Sequence, residues 1–351
     1  MRTAESVTEG HPDKICDQIS DAILDAYLEQ DPMARVACEV AASGNQIWIF
    51  GEASSDAEVD HAGVAIATLL QIGHKNPGAL DIRVAIKQQS PDIAMGVIQH
   101  EAIGAGDQGI VYGYASDECP NLMPLPITAA HSLTRRLAQA RKANALIGLG
   151  SDGKAQVTVN GQGLISTVIL SSQHDAEYAI GDLRQDLERF VRTALAGTLA
   201  PNVAILINPT GRFVQGGPEA DAGLTGRKII VDTYGGEGRH GGGAFSGKDA
   251  TKVDRSGAYT ARHAAKAIVR SGLAKRAEVA VAYAIGVAEP VMVTVETFGT
   301  GDGAAATAFV RGGWDFRPAA MIERFGLRRP IYRETAAYGH FGVAGRPWEE
   351  E

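Results

Sequence analysis

Apolar residues recur along this chain in three similar bouts, each passing from helical spacing to strand alternation and back. In the first, Ile15, Ile19, Ile23 and Tyr27 fall every fourth residue, on one face of a helix. Val36, Cys38 and Val40 then alternate as a strand, a turn follows at Ser43 to Asn45, and IWIF makes a second strand. GEASSDAEVDHAGVAIATLL closes the bout with a polar entry and helical periodicity. The order returns at PITAAHSLTRRLAQARKA, QVTV, the turn Asn160-Gly161, STVIL and SSQHDAEYAIGDLRQDLERFV. It returns again at SGAYTARHAAKAIVRSGL, EVAVAYAI, PVMVTVE and TFGTGDGAAATAFV. Three helix, strand, strand, helix units are predicted. Each is a hairpin with one face to cover and helices to cover it, an α+β layer arrangement.

Between the units lie Ile72 to Leu125 and Ala200 to Asp254, rich in glycine, proline and charge. Long connections on a repeated scaffold are where sites normally sit. The stretch Arg227 to Arg255 is the most informative. It reads as a β-strand at Ile229 to Asp232 and then a glycine-rich loop, with six Lys/Arg (Arg227, Lys228, Arg239, Lys248, Lys252, Arg255) against four acids. Three consecutive glycines, Gly241 to Gly243, free backbone N–H groups to face an anion. The chain as a whole carries a net charge of -8, so a local cationic pocket points to a polyphosphate. A flexible connector is the plain alternative. A nucleotide-hydrolase phosphate loop, G-x-x-x-x-G-K-S/T, is another: Gly242 to Lys248 matches it until Asp249 stands where the hydroxyl should be.

At 351 residues, 45% hydrophobic and 21% charged, the chain can bury two or three cores of an ordinary globular protein. Its three cysteines, Cys16, Cys38 and Cys119, form no C-x-x-C pair, so neither a disulfide framework nor a zinc site is indicated and a reducing cytoplasm fits. No apolar leader or run of about 18 apolar residues occurs, which argues against secretion and membrane spanning. The acidic balance argues against nucleic acid as a partner.

Four further motifs carry candidate chemistry. In ESVTEGHPDK, Pro12 suits a first helical turn and sets His11, Asp13 and Lys14 around a helix N-terminus that favours an anion; simple capping by Asp13 with a solvent-facing His11 is the competing reading. KQQSPDI and GAGDQG contain Gln89 and Asp107, with glycines at 104, 106 and 109 that permit close approach and a mobile lid; no strand immediately precedes them, which disfavours a dinucleotide fold. SDGKAQVTV sets Asp152 and Lys154 just ahead of a strand, where a commonplace turn is the alternative. NPTGRFVQGGPEADAGLTGRK brings Arg212, Phe213, Asp221, Arg227 and Lys228: a stacking face, a hydroxyl acceptor and phosphate donors. Glu39 and Glu52 sit one on each strand of the first hairpin, and Glu39 interrupts an apolar strand, which asks for a cation or for an exposed edge.

Together these residues resemble the S-adenosylmethionine synthetases, also called methionine adenosyltransferases, from Glu5 to Trp348. ESVTEGHPDK, GAGDQG and GGGAFSGKD stand in the family's order, and INPTGRF, GLTGRKIIVDTYGG, KVDRS, YAIGVAEP, VETFGT and PIYRETAAYGHFG extend the match. The resemblance implies attack of the methionine sulfur on C5′ of ATP, expulsion of the whole triphosphate, and its cleavage to phosphate and diphosphate. A thioether needs no general base, so rate comes from alignment and from neutralising the leaving polyphosphate.

Carried onto this chain, the resemblance makes His11 the donor at the leaving oxygen, with Asp13 and Asp254 as Mg2+ ligands, two Mg2+ being implied per site. Lys154, Arg227, Lys228 and Lys248 would hold the triphosphate, and Asp152, Gly153, Arg212, Phe213 and Ala244 match positions around the nucleotide. Glu52, Gln89, Lys252 and Asp221 match positions around methionine, Asp221 also reaching the nucleotide. Asp107 would offset sulfonium charge, Ile285 would form an apolar wall, and Glu39 matches a site for one K+. The implied fold is three similar domains about a pseudo-threefold axis: 1–92, 104–215 and 216–351, with segments exchanged and 93–106 as a mobile active-site loop. The implied assembly is a cytoplasmic homodimer or dimer-of-dimers tetramer with sites between subunits. The chain departs from the family in a short start before Glu5, a shortened 73–88 region and its ending at PWEEE. A non-catalytic nucleotide-binding relative would be expected to lose His11, Asp13 or the lysines, and all are present.

Overall fold

The computed structural model describes residues 1–88, 98, 99 and 102–350; Gln89 lies outside them, as do 93–97, 100 and 101 of the expected loop. The first bout forms helix α1 (Pro12–Gln30), the hairpin β2 (Arg35–Ser43) and β3 (Gln46–Ser54), helix α2 (His61–Ile72) and strand β4 (Asp81–Lys87). Val36, Cys38, Val40 and Ala42 are buried and alternate with residues more open to solvent, so one face of β2 meets the core. Helix α2 crosses over to bring β4 parallel to β3, and Gly73 ends it in the left-handed conformation at φ 98°.

The same plan is repeated by α3 (Leu125–Lys142), β8 (Leu149–Val159), β9 (Ile165–His174), α4 (Ile180–Ala194) and β10 (Leu199–Ile207), the last again parallel to its neighbour. A third run, α6 (Val253–Arg270), β12 (Arg276–Tyr283), β13 (Met292–Glu296) and α7 (Gly303–Gly313), ends in helix α8 (Pro318–Phe325). Each hairpin then receives an antiparallel strand from elsewhere in the chain. Strand β1 (Arg2–Val7) joins β8, β7 (Gly109–Ser116) joins β12, and the short β11 (Gly223–Leu224) joins β2. The resulting orders are β11-β2-β3-β4, β1-β8-β9-β10 and β13-β12-β7, with a small separate ladder of β5 (Ile98–Gln99) and β6 (Ala102–Ile103). The connections left irregular by the hydrophobic pattern therefore supply β4, β7 and β11.

Two cores result. The larger joins the first and third sheets through α1 and α6, and the smaller lies between the second sheet and helices α3 and α4. Helix α6 sits so close to β7 that a Cβ on Gly113 would come 1.9 Å from the Ala261 carbonyl carbon. Helix α1 is enclosed on nearly all sides, and Lys14, Asp17 and Asp21 are fully buried on it.

One expectation is corrected. Ile229 to Asp232 is not a strand but a single helical turn, α5 (Ile229–Asp232). The edge of β2 that it could have joined is taken by Gly223, Leu224 and the Thr225 N–H, which donates to the Val40 carbonyl. The chain then turns at Gly226, φ 78°, and the Asp232 N–H closes onto the Lys228 carbonyl, overriding the strand preference of two isoleucines and a valine. Among the described residues no helix is long and apolar enough to cross a membrane, and all three cysteines are free and buried.

Candidate functional site

The candidate residues fall into two groups, one at the head of α1 and one around the glycine-rich loop, and each group has a segment beside the open edge of β2. The first gathers at the N-terminus of α1. Pro12 is its first residue, as the sequence predicts, but the cap is His11 itself, extended at φ -64° and ψ 138°, whose Nδ1 accepts the Asp13 N–H at 3.2 Å. Capping by Asp13 is therefore overturned. Asp13 is almost wholly buried and accepts from Lys228 Nζ at 2.5 Å and from the Leu224 N–H at 3.0 Å, with Arg227 Nε at 3.7 Å.

Burial raises the Asp13 carboxyl, yet the bonds from Lys228 and Leu224 outweigh it and leave the group below the usual carboxylate range. Burial, reinforced by Lys228 and Lys154 against the pull of Asp13 and Asp221, pushes His11 down to about 4. The imidazole is thus neutral near pH 7. With Nδ1 accepting from the backbone, its proton sits on Nε2, which is left as a donor.

Asp152 and Lys154 lie within β8, not ahead of it, because the strand begins at Leu149 and bulges before Gly153. Asp152 accepts the Gly217 N–H at 2.9 Å, and burial raises its carboxyl to about 6. Lys154 is exposed and pairs with Glu5 across the β1–β8 ladder at 2.6 Å. Phe213 is held by two bonds to His174: its N–H donates to Nε2 at 3.1 Å, and its carbonyl accepts the His174 N–H at 2.9 Å. Arg212 and Asp221 are exposed. The charges of Lys228 and Asp221 act on both His11 and Asp152, so these residues lie near one another.

The second group forms around the glycine-rich loop. Lys248 pairs with Asp254 at 2.7 Å, and Lys252 bonds to the buried Asp249. The loop packs without side chains: a Cβ on Gly241 would come 1.6 Å from the Ile110 carbonyl oxygen, and one on Gly243 would enter the Asp254 carboxylate. Gly106 lies against the Thr251 carbonyl, and Ala105 exchanges backbone bonds with Val287 and Gly286, which brings exposed Asp107 and Ile285 to the same side. Ala37 faces Glu52 on one flank and Lys248 on the other, so these two share a row. Glu39, two residues along that face, is half-buried; burial raises its carboxyl and the Lys248 charge opposes this. Ala244 joins the groups, its methyl 2.6 Å from where a Cβ on Gly226 would stand. Gln89 lies outside the described residues.

This loop is not a nucleotide-hydrolase phosphate loop. Among the described residues no strand runs into Gly241 to Gly243, and the next helix starts only at Val253. Asp249 accepts from the Val36 N–H and from Thr251, which makes it a loop brace. Asp13 pairs with Lys228 and Arg227, and Asp254 with Lys248, so the two carboxylates belong to different groups.

Sequence reasoning passed over the acids behind both groups. Asp17, Asp21 and Asp25 follow Asp13 at every fourth residue, a spacing visible in the sequence, and each accepts a backbone N–H from outside the helix: Gly226, Gly247, and Tyr332 with Arg333.

Three domains of the S-adenosylmethionine synthetase family match this chain: the N-terminal domain over residues 1–91, the central domain over 102–213 and the C-terminal domain over 215–350. The chain is 53% identical over 364 residues to S-adenosylmethionine synthase 1 of Rhodospirillum rubrum, covering 99% of this chain and 95% of that protein. It is 52% identical over 374 residues to the S-adenosylmethionine synthase of Desulforudis audaxviator, with the same coverage. It is 51% identical over 391 residues to that of Parasynechococcus marenigrum, covering 99% and 93%.

Proposed function

The chain belongs to the S-adenosylmethionine synthetase family, and on that premise we propose how its two residue groups form S-adenosyl-L-methionine from ATP and L-methionine. The reaction is a methionine adenosyltransfer serving one-carbon metabolism. The methionine sulfur forms a bond to C5′ of ATP, the C5′–O bond breaks with its electron pair leaving on the triphosphate, and the triphosphate is then hydrolysed to phosphate and diphosphate.

The group at the head of α1 takes the nucleotide. His11 donates Nε2–H to the departing oxygen, a role supported by its neutral state and by the cap that occupies Nδ1. Arg227, Lys228 and Lys154 bind the triphosphate, Phe213 and Arg212 flank the base, and Asp152 with Gly153 and Asp221 accepts from the ribose. The group at the glycine loop takes methionine and the far end of the triphosphate. Lys248 meets phosphate beside Ala244, Lys252, Glu52, Gln89 and Asp221 orient methionine, Ile285 walls the site, and Asp107 offsets the sulfonium charge.

The family's enzymes are metal-dependent, and the donor set fits Mg2+. Asp13 and Asp254 offer carboxylate oxygens only, and among the described residues no cluster of three or more His, Cys, Asp or Glu could cage an ion unaided, which leaves room for phosphate oxygens and water. These two residues would hold a pair of Mg2+ and Glu39 one K+; bound Mg2+ supplies neutralisation of phosphate charge.

The observation that carries this reading is that Asp13 and Asp254 are engaged by different lysines of the chain, Lys228 and Lys248, one in each group. A symmetric pair of chains joins one chain's nucleotide group to its partner's methionine group, making two sites per homodimer, and two dimers can pair again. The domains are 1–92, 104–215 and 216–351, and the free buried cysteines suit the cytoplasm. Incubation with ATP, Mg2+ and K+, with and without methionine, tests the assignment. Phosphate, diphosphate and a sulfonium product should appear only with methionine. ADP released without methionine would overturn the reading, as would near-normal turnover by a folded Lys248→Ala protein.

A further inference from the structure

Two cation-bearing turns in this chain are built alike. Gly226, φ 78°, is followed by Arg227 and Lys228, and Gly247, φ 80°, is followed by Lys248. In each turn the glycine N–H donates to one acid of α1, Gly226 to Asp17 and Gly247 to Asp21, both at 2.8 Å. The two acids are one helical turn apart, about 6 Å along the axis at 1.5 Å per residue. Neither glycine tolerates a side chain: a Cβ on Gly226 would meet Ala244 at 2.6 Å, and one on Gly247 would meet the Cys38 carbonyl oxygen at 1.9 Å.

Each acid is matched by a buried cation that meets no solvent. Lys14 bonds Asp17 at 2.9 Å and also Asp232, the last residue of the helical turn that follows Lys228. Arg255 makes a two-pronged pair with Asp21 at 2.7 and 2.8 Å, and the same guanidinium grips the carbonyls of Phe245 and Lys248 at 2.9 and 3.0 Å. The Lys248 loop is thus clamped by its N–H on the acid and by its carbonyls on the arginine. Burying charge is costly, and partnered buried charges are best attested as devices that fix register. What these pairs fix is the backbone just ahead of three cations that line the two groups.

We propose that Asp17 and Asp21, with Lys14 and Arg255, are positioning residues that set the polyphosphate-binding cations: Asp17 and Lys14 for Arg227 and Lys228, Asp21 and Arg255 for Lys248. None of the four needs to touch substrate. The inference rests on the reading that these cations hold the triphosphate, with the two groups meeting across a subunit boundary. It assigns each acid to one group only.

Asp17→Asn and Asp21→Asn keep the shape and one acceptor oxygen while removing the charge, and Arg255→Lys keeps the charge but loses the fork that holds two carbonyls. Each folded variant should lose turnover about a hundredfold, the scale of a misplacement near 1 Å, with the KM for methionine unchanged. A merely structural role would lower the melting midpoint and leave turnover per folded molecule intact, and that result would overturn the proposal.

Co-expressing Asp17→Asn and Asp21→Asn chains should restore about a quarter of wild-type turnover, because half of randomly paired dimers are mixed and each holds one intact site of two. The control is co-expression of Lys228→Ala with Lys248→Ala. If the control recovers and the aspartate pair does not, the damage is not confined to one group and the positioning assignment falls. If neither pair recovers, the shared-site reading falls. The single variants then decide the positioning: a hundredfold loss with unchanged methionine KM keeps it, and near-normal turnover ends it.

Discussion

Glu349 closes the C-terminal segment onto α6, and removing its carboxylate should weaken the whole domain by a calculable amount. The carboxylate accepts from Arg262 Nε at 3.0 Å, Arg262 Nη2 at 3.3 Å, Lys266 Nζ at 2.9 Å and the Gly342 N–H at 2.8 Å. Next to it Trp348 is fully buried, stacked on Tyr259 at 3.7 Å. Glu349→Ala leaves the Arg262 and Lys266 side chains, 0% and 3% exposed, without their counter-charge. Removing one partner of a buried pair costs about 3–5 kcal/mol. Arg262 keeps the carbonyls of Tyr114, Leu122 and Asn121, so its hydrogen bonds survive and the lower end applies, about 3 kcal/mol. For a chain of 351 residues, at about 2.1 cal/mol/K of unfolding entropy per residue, that is a fall of about 4 °C in melting midpoint. Circular dichroism melts of the full chain measure it, with turnover at 25 °C as the companion reading. Turnover should stay near wild type, because Glu349 bonds to none of the cations of either group. A shift below about 1 °C would refute the buried-charge argument, and lost turnover at unchanged stability would move the clamp into the site.

Other expectations follow from single features. Gly241→Ala drives a methyl into the Ile110 carbonyl and should cost about a hundredfold in turnover, whereas Gly161→Ala, with nothing near its Cβ, should be silent; equal behaviour of the two in a product assay defeats the close-approach argument. Asp152, raised to about 6 by burial, should take up a proton as pH falls below that value, so the KM for ATP rises there, and a wild-type KM limb persisting in Asp152→Asn would detach it from this residue. His11, pushed to about 4 mainly by burial, should leave no limb near pH 6.5 in the rate of adenosyl transfer. His263 is also pushed to about 4, burial being the main cause, and so binds its proton less well folded than unfolded. The stability it supplies is complete above about pH 6.5 and is lost as pH falls toward 4, so urea melts of His263→Gln should show a stability slope flatter by up to about 1.4 kcal/mol per pH unit; an unchanged slope removes His263 from the account.

The three hairpins and their flanking helices were legible because each buries one face, and burial writes a period into the sequence. Val36, Cys38 and Val40 announce β2 in this way, and Ile15, Ile19 and Ile23 announce α1. The partners each hairpin recruits were not legible. Gly223 and Leu224 are too short to carry a period, and nothing local assigns Arg2–Val7 to a sheet that begins near residue 149. Ile229 to Asp232 misled because strand preference speaks only where an edge is free, and that edge was taken. At the candidate site, the glycine loop and the HPD motif stood out by residue type, glycines and cations being what the proposed phosphate binding would need. Asp249 as a brace and the clamps at Asp17 and Asp21 depend on residues more than 200 positions away, and local pattern does not record such distances.

The fourfold row of acids on α1 also sets a timetable. Their partners reach the helix in order of synthesis: Leu224 and Gly226 first, then Gly247 and Arg255, and lastly Tyr332, which lies 307 residues beyond Asp25. At about 5–20 residues per second, a ribosome makes that last partner roughly 15–60 s after Asp25. Once Arg255 is made, the partners of Asp13, Asp17 and Asp21 are all present and β11 can close the open flank of β2, so from there to Tyr332 only Asp25 lacks its partners. The helix behind both residue groups can therefore complete its buried contacts only when the chain is nearly finished.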